Sequence, residues 1–150
     1  MDRPRDKGQR LARADAVAPS LDLSQEEIVA LRDAMLNSAR PYLQPGESVQ
    51  AVAGAQTASQ WIAGLAGIFV FLGLNRYRIL IVTSTRILVL DAGKVNMKKA
   101  QGVVTELPRS TRLGPATGLW HRIPAGTETL RVHRRFFKEL QAADSAVAVG

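Results

Sequence analysis

Tyr77-Arg-Ile-Leu-Ile-Val-Thr83 and Arg86-Ile-Leu-Val-Leu90, separated only by Ser84-Thr85, are the stretch on which the fold turns. Both runs are strand-length and rich in β-branched residues, and a short polar pair between two such runs reads as a hairpin turn. Ala92-Gly93 closes the second strand. Downstream, Val103–Leu107, Leu119–Ile123 and Thr127–His133 give three more short strands, punctuated by Gly114-Pro115 and by Pro124-Ala125-Gly126. Upstream, Val49, Ala51 and Ala53 alternate with Gln50, Val52 and Gly54, a fainter strand signal. A terminal helix is predicted from about Arg134 to Val147, with Phe136, Leu140 and Ala143 on one face.

A second helix precedes the strands. Ser24 and Glu27 have the spacing of a capping box, in which each side chain satisfies a backbone donor of the other. Ile28, Leu31, Met35, Ala39 and Tyr42 then recur at spacings of three and four, so one stripe needs cover from the chain's own domain or from a partner. Pro41 and Pro45-Gly46 end the segment. The order helix, six or seven short strands, helix predicts an α+β, mainly β fold. Its form would be an antiparallel sandwich or partly open barrel with the last helix as a plug. Residues 1–23 read as a flexible tail, 24–43 as the amphipathic helix, and 44–146 as the domain, with an apolar insertion at 61–74.

This layout resembles the bacterial pleckstrin-homology-like (PH-like) domain. The resemblance runs from about Leu43 to Asp144. It rests on Leu43-Gln-Pro-Gly-Glu47 ahead of the first strand, on Ile81-Val-Thr-Ser-Thr-Arg-Ile-Leu-Val-Leu90, and on a late strand ending in basic residues before a short helix. The family turn usually carries Asp or Asn where this chain has Ser84. The resemblance implies a seven-stranded PH-like sandwich, a non-enzymatic role and no transferable ligand, because a fold does not by itself give a function.

Charge is distributed unevenly along the chain. The net charge is +7, yet residues 48–74 hold no charged side chain, and residues 75–138 hold 13 Lys and Arg against 3 acids. Such a cationic half attracts an anionic membrane surface, nucleic acid or an acidic protein partner. Arginines outnumber lysines 15 to 5, and arginine is the better bidentate phosphate ligand. Nucleic-acid binding is disfavoured because aromatics, the usual stacking platforms, make up only 5% of the chain. With no cysteine and only His121 and His133 as histidines, no catalytic motif, metal site or cofactor loop is legible. The absence of cysteine also fits a reducing compartment, and no apolar signal core follows the early arginines.

Trp61-Ile-Ala-Gly-Leu-Ala-Gly-Ile-Phe-Val-Phe-Leu-Gly-Leu74 allows three readings. As a helix, its 14 residues reach about 21 Å at ~1.5 Å each, against a ~30 Å hydrocarbon core, so a span must extend back to Ala51. The second reading is a buried element, in the core or at a homo-oligomer interface. The third is a loop that dips into lipid, with Trp61, Ile62, Leu65, Ile68, Phe69 and Phe71 as the apolar contacts. Arg76, Arg78, Arg131 and Arg135 would then form one basic face. The first and third readings predict a module at the inner, cytoplasmic face of a membrane, either peripheral or singly anchored; the second leaves a protein-interaction or homo-oligomerisation module.

Overall fold

The computed structural model describes residues 18–58 and 64–149. Two compact units divide the chain, the first ending at Leu31 and the second beginning at Arg32. Helix α1 (Ala18–Ala39) crosses that boundary and passes into a 3₁₀ turn at Arg40–Tyr42. The second unit continues with β1 (Val49–Gln56), α2 (Ile68–Leu74), β2 (Tyr77–Thr83), β3 (Arg86–Gly93) and β4 (Gly102–Pro108). It ends with β5 (Trp120–Ala125), β6 (Glu128–His133), a 3₁₀ turn at Arg134–Phe136, and α3 (Phe137–Val149). The chain is thus mainly β in the α+β class, with a helix at each end.

Three sequence expectations are corrected. Helix α1 starts at Ala18, upstream of the cap expected at Ser24, with Pro19 in its first turn, where a missing N–H costs nothing. The expected tail therefore loses its last residues to the helix, and residues 1–17 lie outside the described residues. Six strands form among the described residues, within the six or seven that the sequence predicts and one fewer than the PH-like resemblance implies. Between β4 and β5 the chain is tied to α3: Leu113 N and Gly114 N each donate to Asp144, both at 2.9 Å. Finally, β1 does not alternate between buried and exposed, since Ala51 through Gln56 are all buried. Helix α3 lies along this strand. Met97 closes on Gly54 so tightly that a Cβ there would sit 2.0 Å from its sulfur.

One antiparallel sheet holds all six strands, in the order β4-β3-β2-β1-β6-β5. β1 pairs with β2 from Val49 to Gln56 but meets β6 at a single register position, Gln56 opposite Arg131. The sheet curls about that weak junction into a half-barrel. A Cβ added at Gly126, in the β5–β6 turn with φ of +63°, would lie 3.7 Å from the Thr105 hydroxyl on β4, so the two edges approach each other. Arg78 is 8% exposed and bridges the curl. Its Nε and Nη2 donate to the two carboxylate oxygens of Glu128 at 3.0 and 2.8 Å, and Nη1 donates to Asp91 at 2.7 Å.

The β1 edge beyond its contact with β6 is covered by α3. Val52 N donates to Glu139 Oε2 at 3.1 Å, and Arg32 Nε donates to Glu139 Oε1 at 2.9 Å. Arg109 adds a second clamp, donating from Nε to Gln50 Oε1 at 2.9 Å and from Nη2 to the Ala143 carbonyl at 2.8 Å. Phe136, Leu140 and Ala143 are buried, as the helical spacing predicts.

The β2–β3 turn is closed by Thr83, not by the residue at 84. Thr83 Oγ1 accepts from Thr85 N and Arg86 N and donates to Arg86 O. This side-chain turn sets Arg86 to face Glu47, to which Nη2 and Nε donate at 2.8 and 3.1 Å. The same guanidinium reaches Glu106 and the Tyr42 carbonyl. Arg86 holds the Glu47 carboxyl well below its ordinary range, at about 2.

Two outcomes follow from this packing. Leu140→Ala should lower stability by about 2–5 kcal/mol, the range for a buried leucine, read as a fall in the urea midpoint at constant slope. Because the folded-state pKa of Glu47 is depressed to about 2, its contribution is complete above its unfolded value near 4.5 and fades as pH falls towards 2. Glu47→Gln should flatten the fall in unfolding free energy across that acid window.

Candidate interaction site

The charge-free stretch leaves the sheet between β1 and β2, at the end where β1 meets β6. Its described portion, from Gly64 to Leu74, buries nothing: Leu65 is 87% exposed and Phe69 86%, and Ile68 is also exposed. Phe71 is half-buried, while Trp61 and Ile62 lie outside the described residues. The core reading of residues 64–74 is therefore overturned. Among the described residues no helix is long and apolar enough to cross a membrane. With seven residues, α2 extends only about 10 Å. Gly67, at φ of +97°, turns the chain into α2 with a backbone conformation that side chains resist.

The neck of this projection is tightly fastened. Thr57 N donates to the Arg76 carbonyl and Arg76 N to Thr57 Oγ1, both at 3.0 Å. Ala58 N donates to Asn75 Oδ1 at 3.2 Å, while Gln56 Nε2 donates to the Ala58 carbonyl at 3.3 Å. Asn75 N closes the last turn of α2 on the Phe71 carbonyl at 2.8 Å. From β6, Arg131 Nη1 reaches the Thr57 carbonyl at 2.6 Å. Gln56, Ala58 and Asn75 are buried. An exposed apolar projection thus stands on a base whose polar groups pair with one another.

The basic face expected from sequence divides in the structure. Arg76 and Arg131 sit at the neck, both half-buried. Arg78 does not join them: it points into the curl and is committed to Glu128 and Asp91. Arg135 is exposed but stacks over Phe136 at 5.0 Å and contacts the Met97 sulfur, away from the neck. Arg122, which no motif marked, stands directly opposite Arg131 across the β5–β6 pair. Directly opposed like charges destabilise a strand pair unless something neutralises them. The β5–β6 register is the signal that locates Arg122, and it becomes readable only once the Gly126-Thr127 turn is known.

The two histidines have packing roles. His121 Nε2 lies 2.5 Å from the Leu113 carbonyl, so that nitrogen carries the proton. His133 meets Trp120 edge-on and accepts from Arg135 N at Nδ1. Burial, then Arg135 and Arg134, pushes His133 below its ordinary pKa.

No protein-family model matches the chain, and neither a curated protein nor a solved structure matches it.

The neck gives a direct test of its own construction. Asn75→Leu removes the acceptor for Ala58 N–H and should cost about 1–3 kcal/mol, the penalty for an unsatisfied buried donor. Faster hydrogen exchange at the Ala58 amide, with a lower melting temperature, is the expected reading.

Proposed function

We propose that the chain is a non-enzymatic, PH-like module that rests on an anionic membrane surface, inserting the Leu65–Leu74 segment while neck arginines meet the head groups. The observation that carries this reading is the exposed apolar projection on a locked polar neck beside Arg76, Arg122 and Arg131. Apolar side chains at this exposure, gathered in one projection, call for a non-aqueous environment. The PH-like reading draws support from Arg86 and Glu47, because two of the three features behind the resemblance grip each other through this pair.

The magnitudes assign the roles. Taking a Leu or Phe side chain fully out of water is worth about 1.5–3 kcal/mol, whereas an arginine at an anionic leaflet adds about 1 kcal/mol. Leu65 and Phe69 then set residence, and the arginines set orientation and approach. On this reading the module works at the inner leaflet as a peripheral protein, with no cofactor.

Leu65→Ser combined with Phe69→Ser should leave the fold intact, since both side chains are exposed. The double variant should no longer sediment with phosphatidylglycerol-containing vesicles. Arg122→Glu should weaken sedimentation at low salt, and the deficit should shrink as added salt screens exposed charge. A double variant that still sediments like the parent would remove the apolar projection from the mechanism. If it instead became smaller in solution while binding vesicles normally, the projection would be a self-association surface.

A further inference from the structure

A cavity of about 620 Å³ lies between α3 and the loop that connects β4 to β5. Its lining shares no residue with the apolar projection. We infer that it binds a small anionic amphiphile, an apolar body carrying one carboxylate or phosphate head, with Arg112 and Lys138 as the head-group ligands.

The volume falls within the range of roughly 300–1,000 Å³ typical of small-molecule sites. Phe137, Leu140 and Pro115 supply apolar lining. Arg112 and Lys138 are exposed and make no hydrogen bond or ion pair among the described residues. The one carboxylate in the lining is Asp144, and both its oxygens already accept backbone amides, from Leu113 and Gly114. Two unpaired cations therefore flank an apolar recess whose only acid is occupied. That charge pattern selects an anion, and the lining selects one with an apolar body.

The site is built before any ligand arrives. Asp144 pins the loop to α3, His121 Nε2 holds the Leu113 carbonyl, and the His121 ring packs edge-on to Phe137 at 6.3 Å between centroids. Leu113 itself is buried beneath the loop. The loop backbone has little conformational freedom left to lose on binding, which favours affinity.

The test uses the full chain with dodecanoate and dodecyl phosphate as probes and dodecanol as the neutral comparator, all below micelle-forming concentrations. Amide resonances of Gly114, Ala116 and Ser145 should shift saturably with at least one anionic probe, and the tighter of the two identifies the preferred head group. Arg112→Gln with Lys138→Gln should weaken that binding by at least about tenfold, the loss of two charge-assisted contacts, with the melting temperature unchanged. Leu65→Ser with Phe69→Ser should leave it intact, which separates this site from the apolar projection. Shifts confined to residues 64–74, equal binding of dodecanol, or no saturable shift with either anion would each overturn the proposal. Should the double glutamine variant fold poorly, the shift map and the dodecanol comparison on the parent chain decide the matter alone.

Discussion

Strand β1 has a full neighbour on one side and, on the other, a strand that it meets only at Gln56. Much of the domain answers to the backbone groups left over. A buried amide without a partner costs about as much as a lost hydrogen bond, so the open edge must be covered. Glu139 does this for Val52, and the same carboxylate takes Arg32 from α1. Gln50 and Arg109 tie the strand to β4 and to the Ala143 carbonyl. Helix α3 is thereby fixed across the junction of the two halves of the sheet, and burial of Phe136, Leu140 and Ala143 comes with that placement.

The cationic half of the chain serves two purposes that composition cannot separate. Arg78, Arg86 and Arg109 are structural: the first bridges the curl, the second joins the β2–β3 turn to the segment before β1, and the third clamps α3. Such pairs cost desolvation, and they hold because their guanidinium forks meet geometrically matched acceptors. The outward cations gather in places set by topology: Arg76, Arg122 and Arg131 at the neck, Arg112 and Lys138 beside α3. A count of +10 over residues 75–138 is therefore an overestimate of what an anionic partner meets.

Between β1 and β2 the physics reverses. Residues Gly64–Leu74 expose the side chains that the core would ordinarily take, while their neck buries Gln56 and Asn75. Polar residues inside and apolar residues outside form a stable arrangement only because the neck groups pair with one another. Thr57, Asn75 and Arg131 supply those pairs from three separate positions in the chain.

The sequence by itself determined the β2–β3 hairpin, the helical face of Phe136, Leu140 and Ala143, and the mainly β class, since each is a local pattern of period two or four. It also marked residues 61–74 as exceptional, though three readings stayed open. It placed the start of α1 too late, because a capping box is a local signal that a favourable upstream turn overrides. Burial on both faces of β1, the inward turn of Arg78 and the pairing of Arg122 with Arg131 were decided by tertiary structure alone. Each depends on which strand becomes a neighbour across the curl. Exposure of Leu65 and Phe69 was decided there too, because whether an apolar run enters the core depends on whether the core has room. With α3 and Met97 already closed over β1, the described part of that run lies outside the packed interior.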